Sequence, residues 1–171
     1  LQNYPREDVV LLWHDTKEEH PDTYRFLREM AQALDHPITE RSDGRSVTEL
    51  FYDEGYLGNN QNTFCSRILK REQGERYFDE LKSEGVTEIV MIFGFSVDER
   101  SRIDRAVGAA FLGGYSVRFP VAETGSSKQA CADLCVALGV RPSAMYAWSD
   151  HANCVGCVKG GRAYWLAVAE H

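Results

Sequence analysis

Apolar positions along the chain come in two kinds of run, and their alternation predicts the architecture. Val9 to Trp13 is a short continuous apolar stretch of strand length that ends at the polar group His14-Asp15-Thr16. From Pro21 the pattern changes to helical spacing, with Tyr24, Leu27, Met30, Ala31 and Leu34 on one side. Pro37 to Arg41 reads as a second short strand and Ser46 to Tyr52 as a short helix, followed by the polar turn Gly58 to Asn62. A long helix is predicted from Cys65 to Ser83, stopped by Gly85, and then a nearly unbroken apolar strand, Glu88 to Phe93, of the kind buried on both faces. Gly94 to Arg100 is its following loop. A helix through Ile103, Val107, Ala110 and Phe111 ends at Gly113-Gly114, and Tyr115 to Val121 is a third long strand. Ser127 caps a helix through Leu138, Gly139 ends it, Pro142 opens an irregular segment, and Ala163 to Ala169 closes the chain as a helix.

Strands alternating with helices predict an α/β fold, a three-layer sandwich with a mostly parallel sheet in which Val9–Trp13 and Glu88–Phe93 are near neighbours. Ligands of such sheets sit beyond the carboxyl ends of the strands, so Asp15-Thr16 and the loop from Gly94 to Arg102 are expected to face one pocket. Helix capping is the plainer role open to Asp15 and Thr16. With 171 residues and 43% hydrophobic content, one domain over 1–171 is expected.

Charge and cysteine usage narrow the classes. A net charge of -7 argues against bulk electrostatic binding of nucleic acid, although basic residues such as Arg67, Lys70 and Arg102 leave a local basic face open. No apolar run approaches the roughly 20 residues that span a bilayer. Five cysteines are an odd number for a secreted disulfide framework, and a reducing cytoplasm is the expected compartment.

Cys154-Val155-Gly156-Cys157, followed by Val158-Lys159-Gly160-Gly161, holds two thiols three positions apart around a glycine that lets the backbone aim both sulfurs at one centre. With Cys65 far upstream, three cysteines are candidates for a soft metal or a cluster. Zinc would take a fourth ligand, for which His14 or His151 is available, and free or redox-active thiols are the third possibility. Arg67, Lys70 and Lys159 place positive charge near these cysteines, where it would attract an anion. Cys131 and Cys135, one helical turn apart, and the aromatic set Tyr146, Trp148, Tyr164 and Trp165 read as core.

Four blocks, His14 to Tyr24, Cys65 to Lys70, Gly94 to Glu99 and Asn153 to Gly161, resemble successive motifs of the phosphoadenosine phosphosulfate (PAPS) reductase family and cover nearly the whole chain in order. The resemblance implies an adenine nucleotide alpha-hydrolase-like fold and an adenine-nucleotide-dependent enzyme of nucleotide activation or sulfur transfer. By the same resemblance Asp15, Thr16, Gly94, Glu99 and Arg102 would contact the nucleotide, Arg67, Lys70 and Lys159 an anion, and Cys65, Cys154 and Cys157 a four-iron four-sulfur cluster. A sulfur or electron donor protein would be the partner.

Three departures qualify what the resemblance implies. The family's Ser-Gly-Gly-x-Asp-Ser phosphate loop is missing, as if the sequence began about 20 to 30 residues into the domain, the size of one strand-loop-helix unit. Ser96 stands where the family has arginine, and Phe64 where a second upstream cysteine would be. The reductases also carry a nucleophilic cysteine in a C-terminal tail, which this sequence lacks. Activity of this chain by itself is therefore not expected, and no catalytic residue is assigned. A true reductase with missing ends, and a non-catalytic nucleotide-binding or thiol redox-sensing module, are the alternatives.

Overall fold

The computed structural model describes residues 4–170. In chain order the elements are β1 (Leu11–His14), α1 (Pro21–Ala33), β2 (Ile38–Arg41), α2 (Val47–Asp53), α3 (Phe64–Ser66), a π-helical turn (Arg67–Arg71), α4 (Glu72–Ser83), β3 (Val90–Ile92), α5 (Arg100–Gly113), β4 (Ser116–Arg118), α6 (Pro120–Thr124), α7 (Lys128–Ala137) and α8 (Arg162–Glu170). The chain is thus α/β. It divides into two compact units, one of Leu1–Tyr77 with Gly139–His171 and one of Phe78–Leu138.

In the first unit β1 and β2 pair in parallel, with Trp13 opposite Glu40 and His14 opposite Arg41. A parallel pair needs a crossover, and α1 supplies it. That helix starts where the sequence dictates: His20 Nδ1 accepts from Asp22 N at 3.1 Å, and Pro21, which has no N–H to lose, occupies the first turn. Ser46 and Glu49 form a reciprocal capping box at the start of α2. The core gathers Val47, Leu50 and Leu69, against which Phe51, Phe64, Cys65, Ile68 and Cys154 pack. The returning segment is tied to α1 by Asp22, which takes Ala144 N at 2.6 Å and the Arg25 guanidinium. Arg25 also donates to the carbonyl oxygens of Arg141 and Pro142.

In the second unit β3 and β4 pair in parallel, Val90 opposite Ser116, and α5 connects them, ending at Gly114 in the left-handed conformation (φ 70°). Phe93, Phe95 and Phe119 stack with nearly parallel rings.

Several expectations need correction. Among the described residues the strands form two separate two-stranded ladders, and β1 is not hydrogen-bonded to β3 in a common sheet. The run Glu88–Phe93 yields only three paired residues, and Ile92 is 51% exposed, so β3 is not a strand covered on both faces. The strand expected over Tyr115–Val121 stops at Arg118 because Pro120 starts a helix, where its fixed φ and missing N–H are tolerated. The predicted helix Cys65–Ser83 is continuous in outline but is interrupted by the π turn. No helix among the described residues is long and apolar enough to cross a membrane.

Candidate functional site

The loop that leaves the carboxyl end of β1 is held by its own side chains and by neighbours from β2 and α1: Asp15 N donates to Arg41 O and Ser42 Oγ to Asp15 O, each at 2.9 Å. Asp15, 3% exposed, accepts from Lys17 N and Tyr24 Oη at 2.9 Å each, and its second oxygen meets Lys17 Nζ at 2.9 Å. Lys17 adopts φ 61°, a left-handed conformation that costs a non-glycine residue about 1 kcal/mol and is fixed here by these contacts. Burial pushes the Asp15 carboxyl up, but the hydrogen bonds from Lys17 and Tyr24 outweigh it and leave the group below its ordinary value. Burial, and then the bond to Asp15, raise the Tyr24 phenol.

The next residue turns toward the cysteines. Thr16, 2% exposed, donates to Glu19 Oε1 at 3.1 Å and lies 3.0 Å from Cys154 Sγ. Glu19 Oε1 also meets Lys70 Nζ at 3.3 Å and Cys154 Sγ at 3.6 Å, so one carboxylate oxygen gathers a hydroxyl, an ammonium and a thiol. Burial foremost, and Glu19 next, push the Cys154 thiol up to about 11, although Lys70 opposes them. Desolvation works against the Lys70 charge; Glu19 and the sulfurs of Cys154 and Cys157 more than offset it and raise its pKa. His14, at the end of β1, is lowered by burial and by Lys70. Its Nε2 is buried without a hydrogen-bond partner and faces Gly74, where an added Cβ would lie 3.4 Å away.

The Cys154–Cys157 loop is a tight turn. Cys157 N donates to Cys154 O at 3.2 Å, and Tyr164 Oη donates to the same oxygen at 2.7 Å. Gly156 has φ 79°, and the indole of Trp165 lies over it. Val155 N donates to Glu18 O at 2.8 Å, the main-chain tie between this loop and the loop after β1.

Of the residues marked by sequence, Thr16, Cys65, Lys70, Cys154, Cys157 and Lys159 come together in the first unit. Cys65 packs on the same apolar cluster as Cys154, and its thiol is raised by burial and by Cys157 and lowered by Lys159. Asp15 is close by but committed to Lys17 and Tyr24. Arg67 is hydrogen-bonded to Glu72. Among the described residues no three of the His, Cys, Asp and Glu side chains stand close enough to hold one metal ion.

Gly94, Glu99 and Arg102 belong to the second unit, where local structure accounts for two of them. Glu99 accepts from Ser96 N at 3.0 Å in a capping box and from Arg102, and these bonds, the backbone one first, hold its carboxyl below the ordinary range despite some desolvation. Arg102 lies over the Phe95 ring at 4.1 Å. Gly94 is exposed, with open space where a side chain would be.

The aromatic set expected in the core is only partly there: Tyr146 is 48% and Trp165 46% exposed, and Trp148 and Tyr164 meet at 6.0 Å between ring centroids. Cys131 and Cys135 are half-buried on α7. Sequence reasoning missed Glu19 as the hub of the site. The signal was present in Thr16-x-x-Glu19, the spacing at which a threonine and a glutamate meet across one turn. Compared with protein-family models, with curated proteins and with solved structures, the chain matches none of them.

Proposed function

We propose that the chain belongs to an adenine-nucleotide-dependent enzyme of the PAPS reductase-like group, acting in nucleotide activation or sulfur transfer with the thiols of Cys65, Cys154 and Cys157 as its sulfur-handling centre. The observation that carries this reading is the 3.0 Å approach of Thr16 Oγ1 to Cys154 Sγ, with Lys70 on the shared carboxylate of Glu19. It joins the loop at the end of a parallel strand, where α/β proteins bind ligands, to the cysteine turn, and sets a cation beside both. A phosphate or sulfate would compete with Glu19 for Lys70 through a charge-assisted hydrogen bond. Four motif blocks in family order support the nucleotide class.

Three thiols with two nearby lysines have the donor chemistry of a soft-metal or iron–sulfur site, and Lys70 and Lys159 would offset the charge of thiolates. As placed, Cys154 is hydrogen-bonded to Thr16 and Glu19 and the sulfurs do not form a ligand set, so no step of the proposal passes through a metal. Iron, sulfide and zinc analysis of anaerobically purified protein tests the cofactor expectation.

The function is tested by calorimetric titration with ATP, adenosine phosphosulfate and PAPS. At least one should bind, and Lys70→Ala should weaken it about tenfold, the loss of one charged hydrogen bond of about 1.5 kcal/mol. Absence of binding by all three to the folded full-length protein would remove the nucleotide reading. The redox-sensing alternative is favoured by the tight turn closed from Cys157 N to Cys154 O, and predicts a reversible disulfide between these cysteines on mild oxidation.

A further inference from the structure

A second concavity borders the cysteine turn on a different set of walls. It has a volume of about 320 Å³ and lies wholly within the first unit, between α2, the turn at Val155–Val158 and the indole of Trp165. Phe51, Leu57, Val158 and Trp165 supply its apolar surface, and Glu18 is the one charged side chain in its lining. Among the described residues no lysine, arginine or histidine lines it.

Glu18 is held in place without being neutralised. Its Oε1 accepts Thr48 N at 3.0 Å, which holds the carboxylate, and its main-chain oxygen accepts Val155 N at 2.8 Å, which ties its backbone to the cysteine turn. Among the described residues no cation pairs with it. Trp165, approaching over the Cβ-free face of Gly156, is 46% exposed, and Leu57 is 70% exposed.

A fixed carboxylate beside the aromatic side chains of a tryptophan and a phenylalanine repels anions and attracts an ammonium carried on an apolar body. We infer that this pocket is a binding site for an organic cation, an amine with an aromatic or aliphatic body, distinct from the Thr16–Lys70 site where positive charge would select an anion. The two sites lie on either side of the cysteine turn: Val155 and Val158 line the apolar pocket, while Cys154 meets Thr16 and Glu19. The inference does not depend on the nucleotide reading.

The test uses the full chain and three probes of one shape: 2-phenylethylamine, 2-phenylethanol and 3-phenylpropionate, followed by the indole N–H resonance of Trp165 in heteronuclear spectra at neutral pH. The amine should bind about fivefold or more tighter than the alcohol, as a partly desolvated cation–π and carboxylate contact requires, and the carboxylate should bind weakest. Glu18→Gln keeps the acceptor for Thr48 N and should make amine and alcohol equal. Trp165→Leu, read by calorimetric titration because it removes the reporter resonance, should weaken both, while Lys70→Ala should leave amine binding unchanged whatever it does to nucleotides. Equal binding of amine and alcohol by the unaltered protein, the anion binding best, no binding of the amine, or an amine preference that survives Glu18→Gln in a protein with an unchanged spectrum would each overturn the inference.

Discussion

Glu19→Gln probes the hub of the candidate site with the least structural damage. The substitution keeps an oxygen able to accept from Thr16 and removes the negative charge 3.6 Å from Cys154 Sγ. In the native protein the Cys154 thiol stands at about 11 against 9.0 for an unperturbed cysteine, with burial the larger cause and Glu19 the next. A thiol at 11 is about one part in a thousand thiolate at pH 8, so each unit by which the variant lowers it multiplies alkylation about tenfold. Stability changes with it. A folded-state pKa raised above the unfolded value means that the folded state holds its proton longer. That contribution is complete below pH 9 and is lost as pH rises toward 11, about 2 to 3 kcal/mol for a shift of this size. Mass-resolved iodoacetamide labelling of the reduced, metal-free protein follows Cys154 alone, and urea denaturation at pH 8, 9 and 10 follows stability. The variant should label faster at Cys154 and lose less stability across that range. Labelling at or below the native rate, or an unchanged alkaline loss, would refute the assignment of Glu19 as a cause.

Three further outcomes follow from geometry already described. Leu50, with no exposed surface at the centre of the small core, should cost about 2 to 5 kcal/mol when replaced by alanine, read from urea midpoints. Gly160→Ala would set a Cβ 2.1 Å from Tyr164 Cδ1; displacing that ring should break the bond from Tyr164 Oη to Cys154 O, destabilise by about 1 to 3 kcal/mol and speed proteolysis within the cysteine turn. The Arg25 guanidinium and Ala144 N pull the Asp22 carboxyl well below its ordinary 3.8, so the stability it supplies is present above pH 3.8 and is lost as pH falls further. Asp22→Asn should flatten that acid loss in a chemical-denaturation series and loosen the segment from Arg141 to Ala144, seen as faster amide exchange.

What the sequence made legible is what local chemistry decides. The helical pattern from Pro21, the short helix from Ser46 and the glycines after the helices each declare an element boundary, and those boundaries hold within a few residues. The strands were harder to read. An apolar run such as Glu88–Phe93 reports that a segment can be buried, whereas pairing depends on a neighbour distant in sequence, and here only three residues find one. Cys65 and Cys154 were joined by the resemblance of their motif blocks, and both pack on the apolar cluster, where residue type alone would also place Cys65 as an ordinary core residue. The role of Glu19 was legible only in part: the Thr16-x-x-Glu19 spacing announces its contact with the threonine, whereas Lys70 and Cys154 arrive from elsewhere in the chain. Glu99, which the resemblance marked as a nucleotide contact, is engaged by Ser96 N and Arg102 within its own loop and helix start.

The π turn at Arg67–Arg71 makes chain length itself part of the site. It accommodates one residue more than an α-helix would between Cys65 and Gly74, and within it Leu69 is buried in the core while Lys70 reaches Glu19. Deleting a single residue there would let the turn relax to α-helical geometry while Cys65 and Gly74 keep their faces, so that only the residues inside the turn, Leu69 and Lys70 among them, would be re-aimed. The spacing of the turn is thus tied to the lysine: a chain one residue shorter there should keep the packing of Cys65 and of Gly74 against His14 and lose the contact between Lys70 and Glu19.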